Sequence, residues 1–162
     1  MILLTAVLLS VAVSTIALGS PPDSVSLSLI SYKAVYLKGE SVKLTIVLEN
    51  HSLRDVTVNK RMAHPGPDLM IEIVDSMGNK LRWLPAAPPP VVTNADFTVL
   101  SSGQKLIVPI SDLESGLFDK FKRENEYWVK VRYQNTENGV KFNYAAWTGS
   151  LESNTVTFEW KG

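Results

Sequence analysis

Apolar residues recur at every second position over long stretches of this 162-residue chain. Val25, Leu27 and Leu29 alternate with Ser26 and Ser28. Val42, Leu44, Ile46 and Leu48 share one side of a run whose other side carries Lys43, Thr45 and Glu49. Leu69, Ile71 and Ile73 repeat the pattern. Tyr127, Val129, Val131 and Tyr133 alternate with Trp128, Lys130 and Arg132. A period of two belongs to a strand with one dry and one wet face, as in an antiparallel sheet. Further strands are expected over 32–37, 55–58, 80–84, 97–100, 105–110, 140–144 and 154–160, divided by turns at Gly39, Gly78, Gly103 and Gly139. A single helical turn is expected within 111–122, where Asp112 and Ser115 are available as caps. Short strands with frequent turns and no intervening helices predict an all-β, two-sheet antiparallel sandwich of about seven to nine strands.

The first part of the chain follows a different rule. Residues 2–18 carry no charge, and the first acidic residue is Asp23. The stretch is shorter than the ~20 apolar residues of a membrane-spanning helix. It ends at Ala17, Leu18 and Gly19, with small residues at the two positions that a signal peptidase reads. The expectation is a signal peptide over 1–19, cleaved after Gly19, followed by one domain over 20–162. The product is then secreted, or held in the periplasm or cell envelope, with no membrane span left after cleavage.

Composition narrows the chemistry. The chain has no Cys, which removes disulfides, thiolate nucleophiles and Cys-based metal sites. An exported domain without crosslinks must rest on its core. Sixteen basic and sixteen acidic residues cancel and are interspersed. Nucleic acid and anionic membranes select clustered positive charge, so neither is expected as a partner.

The run Tyr127 to Asn135 is followed by Trp147-Thr148-Gly149 and Ser153 to Phe158, and upstream lie Gly39-Glu40-Ser41-Val42-Lys43-Leu44 and Leu48-Glu49-Asn50. Together these resemble the immunoglobulin-like β-sandwich domains of exported, mostly uncharacterised bacterial proteins. In such domains a Gly-Glu turn opens a strand and a Tyr-x-Val-x-Val-x-Tyr strand lies near the C-terminus. The resemblance implies the sandwich fold and a structural role for Tyr127, whose hydroxyl would bond backbone across a corner. It implies no particular activity, because this fold hosts many.

The candidate sites are few. Pro85, Pro88, Pro89 and Pro90 lack N–H donors and read as an extended surface loop, with Trp83 placed to pack beneath it. His64 sits in a rigid His-Pro-Gly-Pro-Asp loop, and neither it nor His51 has a partner at metal-ligand spacing. Trp128, beside Lys130 and Arg132, is a candidate stacking platform or interface anchor. Trp147 lies between strands, either as a binding tip or as a plug closing the end of the sandwich, with Gly149 permitting the reversal. Glu72, Asp75, Asp112 and Glu114 read as solvated charges. Asn50-His51-Ser52 matches a glycosylation sequon, although Asn50 also suits a strand end that bonds local backbone.

No catalytic triad, phosphate loop, metal cluster or cofactor motif is legible. The expectation is a non-catalytic binding or scaffold module that uses loops at the sandwich ends, with a protein as partner. The alternatives are a carbohydrate-binding accessory module or part of a glycan-acting enzyme, and a structural cell-envelope component.

Overall fold

The computed structural model describes residues 24–62, 68–81, 91–111, 113 and 124–162. The expected signal peptide, His64, Trp83, Pro88, Pro89, Pro90, and nearly all of the expected helical turn lie outside the described residues.

The described chain is all-β. Its strands are β1 (Val25–Ser31), β2 (Val35–Leu37), β3 (Lys43–Asn50), β4 (Val56–Asn59), β5 (Leu69–Asp75), β6 (Phe97–Leu100), β7 (Lys105–Ser111), β8 (Asn125–Asn135), β9 (Gly149–Glu152) and β10 (Val156–Lys161). They form a three-stranded sheet in the order β1-β3-β7, a larger sheet in the order β2-β10-β8-β5, and a β4-β6 ribbon. Strand β9 pairs with the end of β8, from Arg132 opposite Glu152 to Asn135 opposite Gly149.

The larger sheet is mixed, where an antiparallel one was expected: β2 runs parallel to β10. The cause lies in the extended stretch from Val25 to Leu37. Its first part pairs antiparallel with β3, with Leu29 opposite Ile46. After the break at Tyr32–Ala34 its second part leaves that sheet and joins the other, with Tyr36 beside Trp160. One run of extended chain therefore belongs to both sheets, and the second membership places it beside a strand of the same direction.

The alternating dry faces meet in one core. Leu27, Leu29, Leu44, Ile46 and Leu48 of the smaller sheet share a buried cluster with Ile73, Val129, Val131, Tyr133 and Phe158 of the larger. Each such side chain taken from water contributes about 1.5–3 kcal/mol. Without disulfides, this cluster and its polar clamps hold the fold. One clamp joins the sheets directly: the Asn154 side chain accepts from Leu29 N at 2.8 Å and donates to Leu29 O at 3.0 Å.

Two local expectations are corrected. Residues Val140–Phe142 form a 3-10 turn rather than a strand, because Gly139 (φ 72°) and Asn143 (φ 63°) bracket them in left-handed conformations that end any extended run. Thr45, expected on a wet face, is 6% exposed, since its Oγ1 donates to the Tyr32 hydroxyl at 3.0 Å. At the sequon, the Asn50 amide is buried; it donates to Arg54 O and Leu100 O, both at 2.8 Å, and accepts from Ser52 N at 2.9 Å. An amide engaged in this way is closed to glycan attachment in the folded domain.

Candidate functional site

A cluster of buried polar side chains lies at one end, where β4 and β8 stop and β6 begins. Strand β8 alternates strictly, so Tyr133 and Asn135 both point inward at its last turn of pleat, and both are buried. Tyr133 donates its hydroxyl proton to the backbone carbonyl of Asn59, at the end of β4, at 2.5 Å. Asn135 donates from Nδ2 to the carbonyl of Trp147. Its Oδ1 accepts from Glu137 N at 3.0 Å and, more weakly, from Asn59 Nδ2 at 3.4 Å. Asn59 in turn accepts from Arg61 N at 2.9 Å.

These bonds fix the loop from 136 to 148. Trp147 N donates to Thr57 O and Ala146 N to Asn138 O, each at 2.8 Å, and Ala146 forms a parallel bridge with Thr57. The Trp147 ring stacks on Tyr133 with centroids 6.0 Å apart and planes 17° apart. At the tip, Phe97 contacts Phe142 and Tyr144 with centroids 5.7 and 5.2 Å apart. Phe97 is buried, while Phe142 and Tyr144 are half-buried and Val140 is 64% exposed. Gly139 is required here, because a Cβ would lie 2.9 Å from Tyr144 Cβ and 3.1 Å from Phe97 Cε1. Lys141 pairs with Glu137 at 2.8 Å and sits 5.0 Å from the Phe142 ring centroid.

Beside this loop, Arg61 Nε lies 3.6 Å from Asp68 Oδ2, with both side chains mostly buried. Burial raises the Asp68 carboxyl above its ordinary range, Arg61 opposes the rise and Asp96 adds to it. Burial also pushes the Tyr133 phenol well above its ordinary value, with the Asp68 charge acting in the same direction. Both shifts favour neutral forms, and the tyrosine is bonded to a backbone carbonyl. Among the described residues no group of three or more His, Asp or Glu side chains is placed to hold a metal ion. No helix among them is long and apolar enough to cross a membrane. What this end does offer is a rigid loop with an aromatic tip.

The sequence candidates fall as follows. Trp147 is 1% exposed, so the binding-tip reading is corrected: it plugs the end of the domain, held between Tyr133 and Gly149. A Cβ on Gly149 would meet Trp147 Cζ2 at 2.8 Å, so only glycine lets the chain pass the indole. Tyr127 is a core residue stacked with Phe158 at 5.8 Å. A hydroxyl tie of the kind expected at Tyr127 is made by Tyr133. Trp128 is half-buried on the outer face of the larger sheet, between Val74 and Thr157. Trp160 is 8% exposed. With Trp147 and Trp160 inside, Trp128 has no exposed tryptophan beside it among the described residues to make a sugar-stacking plane. Glu72 pairs with Lys80 at 2.7 Å, and Asp75 caps its own turn by accepting from Met77 N and Asn79 N. The Asn59, Tyr133 and Asn135 clamp escaped the sequence, because an Asn at a strand end reads as turn punctuation.

No protein-family model matches the chain, and no curated protein matches it. Solved structures do. An alkylpurine DNA glycosylase AlkC of Pseudomonas fluorescens, bound to DNA containing an abasic site analogue, is 16% identical over 86% of this chain and 31% of that one, with a TM-score of 0.37. The SafA pilin of Salmonella enterica in complex with the SafB chaperone gives 14% identity over 89% and 58%, with a TM-score of 0.36. AvmM, which catalyses macrocyclization in alchivemycin A biosynthesis, gives 13% identity over 86% and 90%, with a TM-score of 0.39. The chain thus spans about a third and under two thirds of the first two. All three scores lie below 0.5, and none assigns an activity or partner to this chain.

Proposed function

We propose that the chain is an exported, immunoglobulin-like β-sandwich that acts as a non-catalytic binding module, and that the loop from 136 to 148 is its contact surface for a protein partner. The observation that carries this reading is the buried Asn135 side chain, which holds the loop through Trp147 and Glu137 while Val140 stands exposed at the tip. A loop fixed in advance loses little conformational entropy when it binds. Phe142 and Tyr144 add part-exposed aromatic surface, the kind that supplies contact energy at protein interfaces. The shared apolar core and the polar clamp between Asn154 and Leu29 support the sandwich reading. The uncharged run over 2–18 supports export, to the medium, the periplasm or the cell envelope.

The test is a binding comparison. Purified protein is used to capture partners from the extracellular or periplasmic fraction of the producing cell, and the affinity of each captured protein is measured against wild type and against Val140→Asp, at an exposed position. A loss of about tenfold or more, with unchanged melting temperature, supports the loop. Unchanged affinity places the contact elsewhere. Hydrolytic turnover by the purified wild type would remove the non-catalytic reading. An exported product that still begins at Met1 would remove cleavage.

A further inference from the structure

The sequence holds one Asn-Gly pair, Asn138–Gly139, and the fold places it in the turn that follows β8. Asn138 is exposed. Its side chain forms an Asx turn, with Oδ1 accepting from Val140 N at 3.1 Å. Such a turn folds the side-chain carboxamide back over the next peptide group, so Asn138 Cγ is turned toward Gly139 N. Gly139 has no side chain to shield that nitrogen. Its N–H donates to Glu137 Oε1 at 3.3 Å. One carboxamide carbon thus has a nitrogen beside it, a carboxylate on that nitrogen's proton and an N–H on its own oxygen. Nucleophile, base and oxyanion donor are the parts that acyl transfer needs. Asn135 makes the same kind of turn, accepting from Glu137 N at 3.0 Å, but it is buried and followed by the branched Thr136.

We infer that Asn138 is a self-modifying residue, converted by ring closure with Gly139 to a succinimide and then by water to aspartate or isoaspartate. In the first step the Gly139 nitrogen forms a bond to Asn138 Cγ and passes its proton to Glu137. The charge that develops on Oδ1 is held by the Val140 N–H. The bond from Cγ to Nδ2 then breaks, and Nδ2 takes the proton from Glu137 and leaves as ammonia. In the second step a water molecule opens the ring. Attack at Cγ restores the main chain and gives aspartate; attack at the main-chain carbonyl carbon gives isoaspartate, whose main chain runs through Cγ. Either way a carboxylate and a released proton replace a neutral amide, and water is the co-reactant. Glu137 suits the transfer, because hydrogen bonds from the Lys141 side chain and from Gly139 N hold its carboxyl below the ordinary range and keep it ionised at neutral pH. Isoaspartate also reroutes the main chain at the carbonyl that accepts from Ala146 N at 2.8 Å, which loosens the loop from 136 to 148.

The inference does not depend on the loop being a contact surface. It is tested on the purified full chain, warmed at neutral pH, with amide loss located by tandem mass spectrometry of tryptic peptides and isoaspartate confirmed by labelling with an isoaspartyl methyltransferase. Amide loss is expected at Asn138 and not at Asn135, and it should be faster in the folded protein than in the same chain held in urea. Glu137→Gln keeps an acceptor for Gly139 N but cannot take its proton, so it should slow the loss about tenfold or more, with an unchanged melting temperature. A folded protein that keeps the Asn138 amide, or loses it more slowly than the unfolded chain, overturns the inference. So does a folded Glu137→Gln variant that reacts at the wild-type rate.

Discussion

Tyr133 on β8 and Asn59 at the end of β4 are joined by a buried hydroxyl-to-carbonyl bond of 2.5 Å, across 74 residues of sequence. The bond ties the β4-β6 ribbon to the larger sheet. Tyr133→Phe removes the donor and leaves the Asn59 carbonyl buried and unpaired, at a cost of about 1–3 kcal/mol. The variant should unfold at lower denaturant concentration with an unchanged slope. The same bond predicts a pH effect. Burial raises the Tyr133 phenol in the folded state, so the native protein holds this proton more tightly than the unfolded chain does. The associated stability is complete below the ordinary tyrosine value near 10 and declines as pH rises above it. Tyr133→Phe should lack that part of the alkaline loss, as equilibrium unfolding between about pH 8 and 11 will show.

Asn135 serves two backbone groups at once, the Trp147 carbonyl and the Glu137 N–H. Asn135→Ala leaves both without their partner, the Trp147 carbonyl in a buried site and the Glu137 N–H in a partly buried one. The expected loss is about 2–4 kcal/mol, above that of one ordinary hydrogen bond. Because the loop from 136 to 148 hangs on this residue, cleavage by trypsin at Lys141 should accelerate in the variant more than the global destabilisation alone accounts for. Asn135→Asp keeps the acceptor for Glu137 N but sets a carboxylate against the Trp147 carbonyl in a buried site, and at neutral pH should cost at least as much as Asn135→Ala.

The burial of Val42, Leu44, Ile46 and Leu48 was legible from spacing alone, since only one side of an alternating strand can face a core. The same logic holds for Tyr127, Val129, Val131 and Tyr133. What escaped it depends on partners far away in sequence. Nothing local to Val35–Leu37 says that it lies parallel to β10, because the choice is made by where the chain leaves the first sheet. Trp147 stands between strands and so read as either a binding tip or a plug, and the stacking on Tyr133 that buries it and decides for the plug is invisible until the two meet. Val140, Phe142 and Tyr144 alternate as a strand would, but the left-handed turns at Gly139 and Asn143 overrule the period. The candidate site was the least legible part, since it consists of side chains bonded to the backbone of other elements.

Two glycines separate backbone strain from steric collision. Gly103 has φ +74° and open space around its missing Cβ, whereas Gly149 has φ +153° and Trp147 Cζ2 2.8 Å from that position. Gly103→Ala meets only the conformational penalty, about 1–2 kcal/mol. Gly149→Ala must also displace a fully buried indole, and tight cores yield to such intrusion at a further cost of about 1–3 kcal/mol. The ordering, Gly149→Ala well below Gly103→Ala in melting temperature, is checked by calorimetry. Near-UV circular dichroism should change for Gly149→Ala alone, because only that substitution moves Trp147 against Tyr133.

Asp68 should oppose acid unfolding, contrary to the usual behaviour of a paired carboxylate. Burial outweighs the Arg61 charge, so its carboxyl is raised in the folded protein. The native state then binds this proton more tightly than the unfolded chain does, and the group's contribution to stability improves as pH falls through the ordinary carboxylate range near 4. Asp68→Asn fixes the side chain in a neutral form and removes that dependence. The stability of wild type relative to Asp68→Asn should therefore rise as pH falls from about 6 to 3, by less than about 1 kcal/mol, because the Arg61 charge opposes the effect of burial. The exposed carboxylates Glu40, Glu137 and Glu152 behave oppositely. Hydrogen bonds from Lys33, Lys141 and Lys130 respectively hold each below its ordinary value, so their contributions are lost as pH falls. Denaturant titrations of the two proteins at several pH values give the sign directly. A difference that shrinks on acidification would mean that the Arg61 pairing, not burial, controls the Asp68 carboxyl.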